Sequence, residues 1–223
     1  MLSTASADIE TQIKTATGKV DYLHTEADGR VLRHQSSSTA VGPCRILVSR
    51  HGIEEIKDKR EPIIIRMFNS QKEEVELTTT VEAYGCPEEK KDIKKCSTFY
   101  DWASLKVEGI EDIKLLGLNF LSHLELTEEN LKEFDSFWIG KIFEETNYPA
   151  VEECKGFAEI GGISKTGYYP LGCSIKNGMS GGSLVIVKNG IPYVTGLLTA
   201  IGYVINLAAD PRLVGLMSRN NCE

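Results

Sequence analysis

The sequence predicts an all-β protein made of two small antiparallel β-barrels, with a helical connector between them and a short C-terminal helix. Three observations support this prediction. Short apolar or alternating runs recur along the chain, with turn-forming residues between them. These runs fall into two blocks, and the segment between the blocks has its apolar residues at helical spacing. The chain also lacks internal repeats and low-complexity tracts.

The first block makes up the N-terminal barrel, which we place at residues 28–118. Residues 1–27 before it are polar and without sustained alternation, so we expect a tail or a peripheral helix there. The candidate strands of this barrel are 31–33, 44–48, 62–68, 75–84 and 103–107.

Residues 119–140 are predicted to be the helical connector. Thr127 is a favourable N-cap and is followed by two glutamates in what would be the first turn. Leu131, Phe134 and Trp138 then follow at helical spacing and would share one face.

The second block and the C-terminal helix occupy residues 141–223. Candidate strands lie at 156–160, 183–187 and 193–200. Asp210 and Pro211 are suited to the N-cap and the first position of a short helix that continues through Met217.

Charge and hydropathy exclude several classes of function. The chain has 32 acidic and 25 basic residues and a net charge of −7, which argues against the basic face that nucleic-acid binding requires. No run approaches the roughly 18 apolar residues of a membrane-spanning helix. The N-terminus has no basic region followed by an apolar stretch, so no secretory signal is expected. We therefore predict a cytoplasmic protein, or one excised from a longer precursor.

The six cysteines form no CxxC pair and no cluster with histidine, so no metal site and no cofactor are expected. An even number would allow fifteen complete pairings. Without a secretory signal, reduced buried thiols are the preferred interpretation.

The most informative motif is Gly-x-Ser-Gly-Gly at residues 178–182, in which glycines surround Ser180. Such a turn exposes the hydroxyl and directs backbone N–H groups toward one point, as an oxyanion hole requires. A glycine-rich hairpin is the alternative interpretation. The nucleophile elbow of α/β-hydrolases is excluded because all four histidines precede Ser180, whereas that class has its histidine last.

The chain order His, Asp, Ser is available for a catalytic triad. His51 ends an apolar run, and Asp101 directly precedes a candidate strand. His34 is the rival base, but it does not follow an apolar strand. Asp92 and Asp112 also lack the strand context of Asp101.

These three segments resemble those of chymotrypsin-like (trypsin-fold) serine proteases, most closely the HtrA-like, intracellular or viral branches. The apolar run 46–51, the Asp-x-Ala-x-Leu-Lys segment 101–106 and the Gly-x-Ser-Gly-Gly segment carry the resemblance. It extends over roughly residues 29–217, and the segment 178–201 aligns without a gap. The resemblance implies two six-stranded barrels of the chymotrypsin type.

The resemblance also implies the roles of the site residues. His51, Asp101 and Ser180 would form the triad, and the N–H groups of Gly178 and Ser180 would form the oxyanion hole. The substrate-binding positions would be Ser174 at the base of the specificity pocket, Thr199 and Ala200 on the edge strand, and Ile201 on the pocket wall.

Two departures from the family bear on regulation and on activity. Met179 replaces the aspartate that pairs with a newly cut N-terminus in trypsin-like zymogens, so we expect no activation of that kind. Arg50 stands before the histidine, where small apolar residues are usual.

The predicted function is a serine endopeptidase acting on protein or peptide substrates, located in the cytoplasm or, for a viral protein, in the host cytoplasm. A protein activator or regulator is an open expectation, and no nucleic-acid or membrane partner is expected. The alternatives are a catalytically inactive trypsin-fold binding module and a non-proteolytic β-barrel with a coincidental glycine-rich hairpin.

Overall fold

A computed structural model describes residues 4–25, 28–53, 62–85, 100–127, 129–130, 133–142, 148–154, 168–169, 173, 179–199, 204–219 and 222. Within these ranges the chain is mostly β-structure, with one α-helix near each end. The helices are α1 (Thr4–Thr15) and α2 (Pro211–Met217).

Six antiparallel strands close into a barrel in the N-terminal half, in the order β1-β2-β3-β6-β5-β4. The strands are β1 (Thr17–Thr25), β2 (Val31–Gly42), β3 (Arg45–Ser49), β4 (Ile63–Phe68), β5 (Glu74–Tyr84) and β6 (Trp102–Val107). Pairing of β1 with β4 closes the barrel. Alternate apolar side chains such as Ile63, Ile65 and Met67 point into its core.

The N-terminal segment contains a helix, as one of the two expectations for it had it, but it also contains a strand that its polarity did not predict. Residues 17–25 form strand β1, which pairs along its whole length with β2 and is needed for barrel closure. Helix α1 precedes it, and its Ile9 and Ile13 are buried, together with Ala16 just after the helix, in a core that also contains Val185 and Leu197 of the second sheet. The expected boundary at residue 28 therefore cuts through the barrel.

The second half forms a six-stranded antiparallel sheet in the order β8-β7-β10-β11-β12-β9. Its strands are β7 (Ser136–Ile142), β8 (Pro149–Glu153), β9 (Tyr168–Tyr169), β10 (Ser183–Lys188), β11 (Ile191–Leu198) and β12 (Val204–Asn206). The prediction of an all-β fold is confirmed, and so is one of the two predicted six-stranded barrels. Over the described ranges the second sheet is not seen to close, so the second predicted barrel is not confirmed.

The described parts of residues 119–140, where a helical connector was predicted, contain no α-helix. Residues 118–127 are non-helical, and His123 forms an isolated bridge with Val194. Trp138, assigned to a helical face, lies in strand β7. Thr127 and Asn130 exchange hydrogen bonds in a local turn, in which the Asn130 side chain accepts from the Thr127 N–H at 2.8 Å.

The C-terminal helix follows the sequence prediction closely. Helix α2 spans Pro211–Met217, and the Asp210 carboxylate accepts a hydrogen bond from the Arg212 N–H at 3.1 Å, as an N-cap does. Neither α1 nor α2 has the length and apolar composition of a membrane-spanning helix, and no other helix in the described ranges does. The predicted strand 156–160 lies outside the described residues.

The expectation of reduced thiols is wrong for all four cysteines in the described ranges. Cys44 is bonded to Cys222, and Cys154 is bonded to Cys173, with Cα separations of 5.7 and 5.4 Å. Such Cα separations are normal for disulfides. Because disulfides are typical of oxidising compartments, the cysteines no longer support a cytoplasmic location.

Candidate active site

His51 and Asp101 lie at the same end of two neighbouring strands. Strands β3 and β6 are antiparallel neighbours, and Ser49 at the end of β3 pairs with Trp102 at the start of β6. Residues just after Ser49 and just before Trp102 must therefore meet at one edge of the barrel. A short 3-10 turn, Arg50–Gly52, carries His51 there.

Two hydrogen bonds join His51 to the carboxylate of Asp101. The backbone N–H of His51 donates to Oδ1 at 2.9 Å, and the ring Nδ1 lies 2.6 Å from Oδ2. The backbone carbonyl of Asp101 also accepts from the Arg50 N–H at 3.2 Å. Since a carboxylate only accepts, the Nδ1 atom carries the hydrogen, which leaves Nε2 as the basic nitrogen of a neutral ring.

The two side chains differ in exposure in the way that an acid–base pair requires. The His51 side chain is 44% exposed and the Asp101 side chain is 17% exposed. The imidazole can therefore meet a substrate from solution, whereas the carboxylate is largely covered. A covered carboxylate holds its partner more strongly than an exposed one, because less water screens the interaction.

Ser180 occupies a tight turn just before strand β10. The Gly182 N–H donates to the Met179 carbonyl at 3.0 Å, and Gly181 between them has a φ of +85°. A positive φ at the third residue is the requirement of a type II turn, and glycine satisfies it without strain. The Gly181 N–H and the Gly182 carbonyl bond Leu198, which attaches the turn to the end of β11.

This turn packs directly against the barrel that carries His51. The Ser37 N–H donates to the Ser180 carbonyl at 2.7 Å. A Cβ on Gly181 would lie 1.9 Å from the Ser37 carbonyl oxygen and 3.1 Å from the Ser49 nitrogen. The backbone next to Ser180 therefore lies close to Ser49, which is two positions before His51.

The Ser180 hydroxyl donates its hydrogen bond to the backbone carbonyl of Thr199. Thr199 follows the last residue of β11 and is 1% exposed. In this conformation the serine hydrogen is directed at a carbonyl and not at the imidazole. The structure therefore brings Ser180 and Thr199 together and joins His51 to Asp101 as a second pair.

The remaining predicted site residues, Gly178, Ser174, Ala200 and Ile201, lie outside the described residues. The described part of the chain also contains no group of three histidine, cysteine, aspartate or glutamate side chains able to hold a metal ion. Sequence reasoning overlooked the contact between Gly181 and the Ser37 backbone. The second glycine of the motif was the available signal, since close backbone approach is a common reason for glycine at a turn.

Comparison with known proteins gives information on the fold and none on the activity. No family model and no curated protein matches the sequence. Among solved structures, 494 chains match, including the crystal structure of Deg5. The alignment with Deg5 has a TM-score of 0.59 and 13% sequence identity, and it covers 97% of this chain and 96% of the Deg5 chain. At 13% identity this likeness shows that the two chains share a fold, and it supports the sequence resemblance at the level of the fold alone.

Proposed function

We propose that the protein is a serine endopeptidase that uses His51, Asp101 and Ser180. The main support is the two-point contact of His51 with the Asp101 carboxylate, at 2.9 and 2.6 Å. A structural histidine at a strand end needs no such arrangement. Here the carboxylate selects the tautomer that a general base requires.

In the proposed reaction, the Ser180 hydroxyl leaves the Thr199 carbonyl and attacks the carbonyl carbon of the scissile peptide bond. The hydroxyl proton passes to Nε2 of His51, and the carbonyl oxygen becomes an oxyanion. Collapse of this intermediate breaks the C–N bond, and His51 gives its proton to the leaving amine. Water then attacks the acyl-enzyme in the same way and restores the Ser180 hydroxyl.

Backbone N–H groups of Gly178 and Ser180 would stabilise the oxyanion, which is worth several kcal/mol of barrier height. Thr199 and Ala200 would pair with the extended substrate backbone as an added strand. Ser174 is uncharged and Ile201 is branched, so we expect a shallow pocket for small or medium uncharged side chains. Cleavage of a peptide library mainly after Arg or Lys would contradict this specificity.

A catalytically inactive binding module is the second candidate. The observation that favours it is the Ser180 hydrogen bond to the Thr199 carbonyl, which turns the hydroxyl hydrogen away from the imidazole. The two candidates differ in whether Ser180 can become a nucleophile. We prefer the enzyme because a binding module has no need of a tautomer-selecting carboxylate beneath His51.

A fluorophosphonate probe tests the proposal, because it reacts covalently with activated serines. We expect labelling of the wild-type protein and of Ser70→Ala, but none of Ser180→Ala. Ser70 is an exposed serine whose hydroxyl donates to Gln71, so it is a matched control for loss of a hydroxyl. Absence of labelling in protein with a native circular dichroism spectrum would favour the binding module.

A further inference from the structure

The residue after Asp101 is held by the C-terminal helix, which belongs to the other half of the molecule. Trp102 is 1% exposed, and its indole Nε1–H donates to Oδ2 of Asp210 at 3.3 Å. Asp210 is the N-cap of α2, and its side chain is 6% exposed. A buried carboxylate therefore connects α2 to the start of strand β6.

Arg212 completes this connection from the first turn of α2. Its Nε and Nη2 atoms donate to the two oxygens of Asp210 at 3.0 and 2.7 Å. Nη2 also donates to the backbone carbonyl of Gly85. The guanidinium carbon lies 5.7 Å from the ring centroid of Tyr100 and 5.9 Å from that of Trp102. Arg212 thus contacts the residues on both sides of Asp101.

The backbone around this contact is closely packed. The Gly85 N–H donates to the Trp102 carbonyl at 2.9 Å. A Cβ on Gly85 would lie 2.4 Å from the Tyr100 carbonyl oxygen and 2.6 Å from the Trp102 Nε1 atom. Residues 100–102 therefore have little room to shift between Gly85 on one side and α2 on the other.

We propose that Asp210 and Arg212 are positioning residues that keep the Asp101 carboxylate within hydrogen-bond distance of His51. This role for Asp210 and Arg212 rests on the proposed function. Asp101 has no described side-chain partner other than His51, so its placement depends on the backbone of its neighbours. The Asp210–Arg212 pair fixes Trp102 by a hydrogen bond and Tyr100 by a cation–π contact. Helix α2 of the C-terminal half would thereby position Asp101 in the N-terminal half.

Loss of the charge of Asp210 or of Arg212 should let residues 100–102 shift and so move the Asp101 carboxylate away from His51. A displacement of about 1 Å in a positioning group costs on the order of a hundredfold in rate. Hydrogen bonds to Asp210 raise the pKa of Arg212, so the guanidinium stays charged over the whole pH range in which the labelling rate is measured. A change in the pH dependence of that rate therefore cannot come from titration of Arg212.

The experiment compares Arg212→Gln, Asp210→Asn and Arg219→Gln with the wild-type protein. Arg219→Gln makes the same charge change as Arg212→Gln near the same terminus, and it keeps the backbone carbonyl through which Arg219 contacts Arg45. Asp210→Asn keeps a good N-cap, so α2 should still form. Two quantities are measured: the pH dependence of the fluorophosphonate labelling rate, and the downfield proton NMR signal of the His51 Nδ1–H, assigned with His51→Gln.

We expect Arg212→Gln and Asp210→Asn to slow labelling by about tenfold to a hundredfold and to shift or broaden the Nδ1–H signal. Arg219→Gln should match the wild type in both measurements. Wild-type signal and rate in Arg212→Gln and Asp210→Asn would overturn the proposal. The NMR signal does not depend on turnover, so a wild-type protein that is not labelled refutes the proposed function while the signal still tests the positioning.

Discussion

At the scale of single residues, the contact between His51 and Asp101 is the feature with the clearest chemical meaning. Each carboxylate oxygen has a different task, because Oδ1 accepts from the backbone of His51 and Oδ2 accepts from its ring. The backbone contact holds the acid in place, and the ring contact selects the tautomer. The two tasks can be separated by mutation.

The substitution Asp101→Asn separates them. The carbonyl oxygen of the new side chain can still accept from the His51 backbone, but its NH₂ group would then face the ring and favour the opposite tautomer. We expect kcat to fall by about ten-thousandfold with little change in stability. Steady-state kinetics on a peptide substrate and thermal unfolding measure the two effects. Asp112→Asn is the matched control, because Asp112 caps a 3-10 turn and asparagine caps as well.

Gly181 is the second residue with a sharply defined requirement. Its φ of +85° disfavours any side chain, and a Cβ would also collide with the Ser37 carbonyl at 1.9 Å. Gly190 has a similar φ of +74°, but a Cβ added there would have no atom within 4 Å. Comparing alanine variants of the two glycines therefore distinguishes the cost of backbone strain from the cost of a steric collision.

We expect Gly190→Ala to lower the free energy of unfolding by about 1–2 kcal/mol, the cost of a left-handed conformation. Gly181→Ala should cost at least about twice as much, because the collision with a backbone atom adds to the same strain. Chemical denaturation of both variants measures the difference. Equal losses would show that the Ser180 turn can move away from β2 without cost.

At the scale of elements, the pairing of β1 with β4 closes the barrel, and a group of charges strengthens it. Asp21 on β1 accepts from the Arg33 Nε of β2 at 2.7 Å and lies 3.8 Å from the Arg66 Nη1 of β4. It also lies 3.3 Å from the Lys19 ammonium on its own strand. One carboxylate thus joins three strands at the point where the barrel closes.

This carboxylate should make stability depend on pH in the acidic range. The hydrogen bond from Arg33 lowers the pKa of Asp21 from 3.8 to about 2. Because the folded state binds the proton less tightly than the unfolded state, the stabilisation is present above about pH 4 and is lost as the pH falls through 2. Allowing for solvent around the half-exposed Arg33, we expect about 1–2 kcal/mol.

Unfolding of the wild-type protein and of Asp21→Asn at several pH values tests this expectation. The variant should be less stable at neutral pH, and the difference should disappear near pH 2. A difference that stays constant with pH would show that the charge of Asp21 does not contribute.

Elements with a strong local pattern were predictable from the sequence, and elements defined by distant partners were not. Strands β4 and β10 appear as apolar runs, and α2 has its N-cap and proline in adjacent positions. Strand β1 has a polar sequence, in which Lys19 and Asp21 pair with charged groups and Val20 lies in the core. In β7, the apolar spacing around Trp138 imitated a helix, while its actual partners are in β8 and β10.

The candidate site divides in the same way. Local motifs led to the prediction of His51, Asp101 and Ser180, because each stands at a characteristic turn or strand end. The hydrogen bond of Ser180 to Thr199 and the packing of Gly181 on Ser37 join segments far apart in sequence. No local pattern carries that information.

At the scale of the whole molecule, one hydrophobic cluster joins the two halves. Leu47 and Trp102 on the outer face of the barrel pack with Val185 and Leu197 of the second sheet, and both helices contribute to the same cluster. The Cys44–Cys222 disulfide adds a covalent connection, because it ties the chain after α2 to the barrel. Arg45, beside it, donates to the Arg219 carbonyl at 3.0 Å. The segment after α2 is therefore attached to the barrel by one disulfide and one hydrogen bond.

The two disulfides should stabilise the fold by different amounts. Cys44 and Cys222 are 178 residues apart, whereas Cys154 and Cys173 are 19 apart. The entropy that a cross-link removes from the unfolded chain grows with the logarithm of loop length, so breaking the first should cost about 2 kcal/mol more than breaking the second. Cys222→Ser and Cys173→Ser are a matched pair, since each replaces a half-buried cysteine and leaves a buried partner. Denaturation under non-reducing conditions measures the loss of unfolding free energy in each variant. An equal or smaller loss in Cys222→Ser would mean that the Cys44–Cys222 disulfide adds little to the contacts that α2 already makes.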